Sequence, residues 1–500
     1  MSRLAALWIA STALAGLGSW WLFDAAPGVN WGLWALGTAA GLGLCARAGG
    51  RATPSLLFVL ALTGALATAS PFTADPEFHL CIAAGTLGLL AVAQRLAEEP
   101  GPGRVDAGFL AGAPWIAAGR LILEAARRVG ETIDAISTDR GRPVARGTAL
   151  ALLIGGGFWL LLAGTDPLMD ALREQLFAVL AALDFLPRLL FFIVLLVAAL
   201  GCYGIALRDR TAPARARGPR DPLLRIGDTE RLIVSATVTG LFGLFLLLQV
   251  SYLFGNAPAV AGSGVTFAEY ARRGFGELTV AATLSTLLVL ALRPAAGTPL
   301  GSGVRAVELV LMAQCECLLA SAWNRVDLYE AAYGFTTARL YAQAYMAVLA
   351  LVLLLLAREI WGGVEPARLL RRAAALGALA VIVLAWWNHE AWIARRNLDR
   401  YVRTGRLDAH YLVWGLSKNA VPAVVDALDR LPAAGADELK RLLRERYGGR
   451  ARLDPCRWFE WNLREREAAR ALLGAGLGPD GPQVPTRGCV RIARGSAWGR

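Results

Sequence analysis

The sequence predicts an all-α fold: a polytopic helical membrane protein of about eleven transmembrane helices followed by a small, soluble, C-terminal helical domain. Two observations carry this. Hydrophobic residues fill 56% of the 500 positions and charged residues only 18%, with a mean hydropathy of +0.47, a balance that soluble proteins of this length rarely show. Several runs also pass almost without charge for close to the ~20 residues a helix needs to cross ~30 Å of hydrocarbon. These runs are continuous and rich in Leu, Ala and Gly, not alternating, so helices and not a β-barrel satisfy the backbone in lipid.

Taken in order, the expected spans are 4–23, 30–46, 55–70, 79–93, 147–164, 187–207, 231–254, 276–292, 304–322, 338–357 and 373–392. The first follows Arg3 and contains Ala13-Leu14-Ala15, which suggests signal cleavage. Trp20, Trp21, Leu22 and Phe23 continue the apolar run beyond it, and a retained anchor is the better reading. With the N-terminus inside, every second loop is rich in arginine: Arg47 and Arg51, Arg95 to Arg146, Arg208 to Arg225, Arg293 and Arg305, then Arg358 to Arg372. The intervening short loops carry Asp24, then Asp75 and Glu77, then Asp166, Asp170 and Glu174, in keeping with the positive-inside rule. Eleven spans then leave the C-terminus outside.

Four segments follow. Residues 1–207 hold the N-terminal spans, with a cytoplasmic amphipathic insertion at 94–146, where Leu121, Ile122, Ala125, Val129, Ile133 and Ile136 recur at roughly helical spacing between charged residues. That helix either packs on the bundle or binds lipid. Residues 208–229 read as a basic, Pro- and Gly-punctuated linker, and 230–393 as the C-terminal spans. Residues 394–500 read as an external helical domain, with helices expected over Ala420 to Leu431, Asp437 to Tyr447 and Trp458 to Leu473. This last fifth is basic. From Arg395 on it holds 21 Lys and Arg against 12 Asp and Glu, most of the net charge of +12, yet nothing in it points to nucleic acid. Its only cysteines, Cys456 and Cys489, could form one disulfide in an oxidising compartment.

Ionisable residues inside spans are costly and tend to be functional. Glu316 sits halfway along span 304–322. Beyond it come Asn324, Arg325, Asp327, Tyr329, Glu330 and Tyr333, and the next span opens with Arg339, Tyr341, Gln343 and Tyr345. Glu269, Tyr270, Arg272, Arg273 and Glu277 reach the same level before span 276–292, and Asn388, His389 and Glu390 close the last span. Helical spacing aligns Glu316, Trp323 and Asp327 on one face, and arginine suits bidentate phosphate or carboxylate recognition. The competing readings are a network that fixes the bundle or a surface that docks another protein. His389 beside Glu390 reads either as a proton relay or as a hydrogen-bonded interfacial residue. No metal-ligand, Ser-x-x-Lys, Gly-x-Ser-x-Gly or Walker pattern occurs, and no cofactor is implied.

Tyr270-Ala-Arg-Arg-Gly-Phe-Gly-Glu-Leu278, Asn324-Arg325 with Leu328-Tyr329, Tyr333-Gly-Phe-Thr-Thr-Ala-Arg-Leu-Tyr341, Asn397-Leu-Asp-Arg400, Tyr411-Leu and Asn419-Ala-Val-Pro422 together resemble the bacterial integral-membrane family named domain of unknown function 4173, over roughly 230–430. The resemblance implies a multi-span protein of the bacterial plasma membrane and supplies no activity. The expected function is binding or translocating an anionic or lipid-linked envelope molecule, with arginines holding the anionic group while Glu316 titrates or gates. The alternative is a non-catalytic scaffold or signalling partner that meets an envelope protein through the basic external domain. A transferase using Asp327 or Glu330 as base is least favoured, because no donor-binding loop accompanies them.

Overall fold

In the computed structural model the described residues are 3–98, 107–136, 185–207, 228–253, 267–292, 301–362, 365–448, 451–478 and 489–494. The N-terminal half contributes α1 (Arg3–Leu22), α2 (Val29–Ala48), α3 (Pro54–Ala67), α4 (Pro76–Glu98), α5 (Ala107–Ile136) and α6 (Leu186–Ala206). The C-terminal half contributes α7 (Asp228–Leu253), α8 (Phe267–Ala291), α9 (Ser302–Tyr333), α10 (Thr337–Gly362) and α11 (Pro366–Trp386). A C-terminal unit follows, with α12 (His389–Thr404), α13 (Val421–Ala427), α14 (Ala433–Tyr447), α15 (Leu463–Gly474) and strands β1 (Ala451–Cys456) and β2 (Cys489–Arg494).

Among the described residues, eight helices are long and apolar enough to cross a membrane: α1, α3 with its following turn, α4, α6, most of α7, α9, α10 and most of α11. Expected spans 30–46 and 276–292 are also helical, as α2 and α8, but are not among those eight. The expected span 147–164 and nearly all of the basic linker lie outside the described residues. Prolines and polar caps set several boundaries. Thr53 accepts the Leu56 N–H at 3.2 Å with Pro54 in the first turn, and Pro187 and Pro366 open α6 and α11.

Three expectations need correction. The last span does not run through 392: Asn388 caps a new helix by accepting the Ala391 N–H at 3.0 Å, so the chain breaks after Trp386 and turns into α12. The span expected over 304–322 continues to Tyr333, giving a helix of 32 residues, about 48 Å long and well over the ~30 Å of hydrocarbon. The C-terminal unit is also not purely helical, because β1 and β2 pair antiparallel as a two-stranded sheet with α15 between them in the chain. Its register pairs Cys456 with Cys489; the side chains of these two lie outside the described residues.

Each half has its own apolar core. Leu7, Leu42, Leu56, Leu200 and Tyr203 belong to the first, Leu311, Met312, Leu318, Leu353 and Leu356 to the second. Gly201 lets α5 lie against α6, since a Cβ there would stand 2.3 Å from the Leu121 carbonyl oxygen. The halves meet along a narrow seam where α11 packs on α3 and α4 through Leu66, Phe78, Ile82, Ile382 and Ala385. A third core, centred on Ile393, Leu412, Val424, Leu439 and Leu472, belongs to the C-terminal unit.

Candidate functional site

Part of the polar set picked out from the sequence, from two of the four elements expected to converge, lies where α9 ends and α10 begins. Gly334, at φ 90°, closes α9 in a backbone conformation that disfavours other residues. The chain reverses there, bringing the first turns of α10 against the last turns of α9. Gln343 then donates to Asp327 Oδ1 at 3.0 Å and to Glu330 Oε2 at 3.2 Å, while Trp323 also donates to Asp327. Tyr329 and Tyr333 rings stand 4.8 Å apart, and the Arg339 guanidinium lies 4.1 Å over Tyr329 while donating to the Gly334 carbonyl. Arg325 is buried beside them. Glu330 is only 3% exposed, and its Oε1 has no hydrogen-bond partner among the described residues.

The other candidates fall elsewhere. Glu316 shares the face of α9 but is eleven residues from Asp327, about 16 Å along the axis; its Oε1 is likewise buried without a partner among the described residues. The side chains of Arg272, Arg273 and Glu277, on α8, lie outside the described residues. Tyr345 links α8 to α10 through a 3.0 Å hydrogen bond to Thr283. His389 is not in the cluster at all. It sits in the seam, 3% exposed, with Nε2 2.9 Å from the Tyr341 hydroxyl and its ring 5.5 Å from Phe78. The anion-holding role read for Arg339 meets a competing fact, since the guanidinium already caps the carbonyl end of α9. Arg400 does the same at Ala331, 3.1 Å away, and at Ala332.

A second polar assembly ties the C-terminal unit to both halves. On the C-terminal half, Asn397 accepts the Phe335 N–H at 2.7 Å and donates to its carbonyl at 2.8 Å, while Tyr411 accepts the Thr337 N–H at 2.9 Å. On the N-terminal half, Asn419 accepts the Ala74 N–H at 2.7 Å and donates to Thr73 Oγ1 at 3.2 Å and to Glu390 Oε2 at 2.7 Å. Glu390, 2% exposed, also takes the Ser417 N–H at 2.9 Å and the Ser417 hydroxyl. Burial pushes its carboxyl up despite those donors. Asn462 donates to the Thr73 carbonyl at 2.7 Å and to that of Ser70 at 3.3 Å. Sequence reading placed Asn419 in a motif and Glu390 at the end of the last span but found none of these partners: Ser417 lies 27 residues from Glu390, and Thr73 and Ala74 lie about 345 from Asn419.

A further latch holds the loop between α1 and α2. Glu460 accepts the Ala26 N–H at 3.1 Å and the Arg457 N–H at 2.8 Å, and Trp461 accepts the Val29 N–H at 3.2 Å. Gly28 permits this approach, because a Cβ there would meet the Glu460 carbonyl at 2.6 to 2.7 Å. Burial pushes the Glu460 carboxyl up, but the Arg457 guanidinium and the two backbone N–H groups outweigh it and hold it below its usual range. A depressed carboxylate stabilises the fold above the ordinary carboxylate pKa, and that contribution is lost as pH falls through the depressed value; for Glu390, which is raised, the contribution is full at low pH and lost as pH rises. Acidification will therefore speed hydrogen exchange, corrected for intrinsic rate, at residues 24–30 and not at 70–75, and Glu460→Gln will flatten the response at 24–30. Equal acid loosening of both loops would contradict this assignment.

Among the described residues no group of three or more His, Cys, Asp or Glu side chains is arranged to hold a metal. Neither the curated proteins nor the solved structures yield a match to this chain. Residues 12–427, from within α1 to the last residue of α13, match the family described as Domain of unknown function (DUF4153). The resemblance read over 230–430 thus pointed to a family of unknown function but to the wrong number, and the matched stretch is much longer. It takes in the α9–α10 cluster, the seam and the Glu390–Asn419 clamp, while the Glu460 latch and the β1–β2 pair fall beyond it. With most of its length inside that match, the chain belongs to the DUF4153 family, a domain whose function is unknown.

Proposed function

We propose that this protein spans a bacterial plasma membrane with its N-terminus cytoplasmic and its C-terminal unit outside, and that it binds or translocates an anionic or lipid-linked envelope molecule at the α9–α10 cluster. The alternation of arginine-rich and acidic loops supports the orientation. The overlength of α9 supports the placement of the cluster: its apolar stretch crosses the hydrocarbon, and its last turns emerge with two carboxylates, tyrosines and Arg339 at the level where an amphiphile carries its polar group. The observation that carries the reading is Glu330, nearly wholly buried with one carboxylate oxygen unpaired among the described residues, because buried polar atoms are otherwise paired and a hydroxyl or ammonium of a polar group is the partner such an oxygen would accept from. Gln343 joins the other Glu330 oxygen to Asp327, and Arg339 lies over Tyr329 in the same turns, so the cluster offers further donors and acceptors to a headgroup.

Native mass spectrometry of the protein extracted gently from its own membrane tests this, with Glu330→Gln and Arg339→Ala alongside. A discrete lipid or glycolipid adduct in the wild type, lost in both variants while the folded mass persists, is the expected result. An adduct retained in both, or a clean apo mass in the wild type, would overturn the site and leave the scaffold reading, which the fastening of the C-terminal unit to three separate loops favours.

A further inference from the structure

Helix α5 turns alanines, Glu124 and Arg128 toward the protein and an apolar stripe outward, with Arg120, Arg127 and Glu131 half-exposed between the two. Ala113, Ala117, Glu124 and Ala125 are buried, and Glu124 pairs with Arg127 and Arg128 at 3.1 and 3.0 Å. On the opposite side Trp115 is 81% exposed, Leu123 71% and Ile122 54%. In water this arrangement would leave a contiguous apolar face uncovered, which soluble surfaces avoid.

Contacts along α5 fix its direction. The Ala117 carbonyl accepts from Gln94, four residues from the end of α4, at 3.3 Å. Leu121 lies against Gly201 and Arg128 donates to the Gly204 carbonyl at 3.0 Å, both in the last two turns of α6. Thr132 accepts from Trp8, five residues into α1, at 2.7 Å. Between Ala117 and Thr132 the helix advances about 22 Å, yet each partner lies within about 8 Å of the end of its own span. A helix crossing the bilayer beside α4 and α6 would change depth along its length. Instead, α5 runs across the span ends. Leu44 on α2, one turn from its end, and Trp361 in the last turn of α10 are likewise exposed apolar side chains near helix ends. Tryptophan at this level is what a membrane boundary selects.

We propose that α5 lies in the plane of the membrane at the arginine-rich end of the bundle, with Trp115, Ile122 and Leu123 seated in the lipid at the boundary of headgroups and acyl chains. Its occupant is the bilayer itself, and the N-terminal half thereby gains a surface that responds to lipid packing separately from the α9–α10 cluster.

The unmodified protein in vesicles of its own lipids can be treated in parallel with a diazirine confined to the bilayer and with hydroxyl radicals generated in water, and the products mapped by peptide mass spectrometry. The expected result is carbene insertion at Trp115, Ile122 and Leu123 with protection from the radicals, and the reverse at Arg127. Radical oxidation of the apolar stripe would place it in water, and protection from both reagents would place it under protein; either outcome overturns the proposal. Carbene insertion on all sides of 113–132, without the helical periodicity, would show a span instead and overturn it as well.

Discussion

Replacing Arg231 with Ala will destabilise the C-terminal half by about 3–5 kcal/mol, the cost of leaving a buried charge without its partner. Arg231 and Glu308 have side chains only 1% and 0% exposed, joined by two hydrogen bonds of 2.6 and 2.8 Å, and the remaining guanidinium nitrogen donates to the Leu292 carbonyl at 2.8 Å. One arginine thus ties α7 to α9 and to the end of α8. Thermal unfolding in nanodiscs should show Arg231→Ala and Glu308→Ala each lowering Tm strongly. Arg231→Lys will not restore it, since an ammonium cannot make the bidentate contact. The double variant Arg231→Met with Glu308→Leu should recover much of the loss, because an apolar pair removes both charges together. A double variant as unstable as the singles would mean that packing and not the unpaired charge sets the cost. The exposed Arg441–Glu445 pair, at 3.6 Å, serves as the control whose removal changes little.

Asn419→Ala will release the C-terminal unit while leaving both bundles folded. The substitution orphans the Ala74 N–H and removes a donor from Glu390, groups that are buried in the clamp, at about 1–3 kcal/mol for each unsatisfied buried group. Hydrogen exchange should rise at 70–75 and across α12 and α13, with the cores of α6 and α10 unchanged. Exchange rising uniformly through the bundle would show that the clamp is not a separable unit.

The helices were legible because apolar runs and their arginine-marked ends are local signals. The break at Asn388 was not, since Trp386 and Trp387 prolong the apolar run and only the cap on Ala391 reveals the new helix. The strand pair escaped notice because β1 contains Pro455 and its partner strand begins more than thirty residues later, beyond α15. Asp327 and Glu330 stood out as charges at the end of an apolar stretch. The position of Arg339 on the Gly334 carbonyl did not, because it depends on the positive φ that folds α10 back on α9. Least legible was the clamp, where Asn419 meets Thr73 across 346 residues: no spacing rule relates an asparagine to a loop that distant, and only the packed seam brings them together.

The fastening of residues 419–462 to loops made near the start of the chain has a consequence for biogenesis. Among the described residues, the backbone N–H groups of Ala26, Val29 and Ala74 find their acceptors in Glu460, Trp461 and Asn419. A ribosome adding about 5–20 residues per second will have inserted the first four helices for tens of seconds before those acceptors emerge. Through that interval these two loops lack their partners, and a chain truncated before residue 419 never closes them. At these loops the order of synthesis and the order in which the fold closes are therefore decoupled.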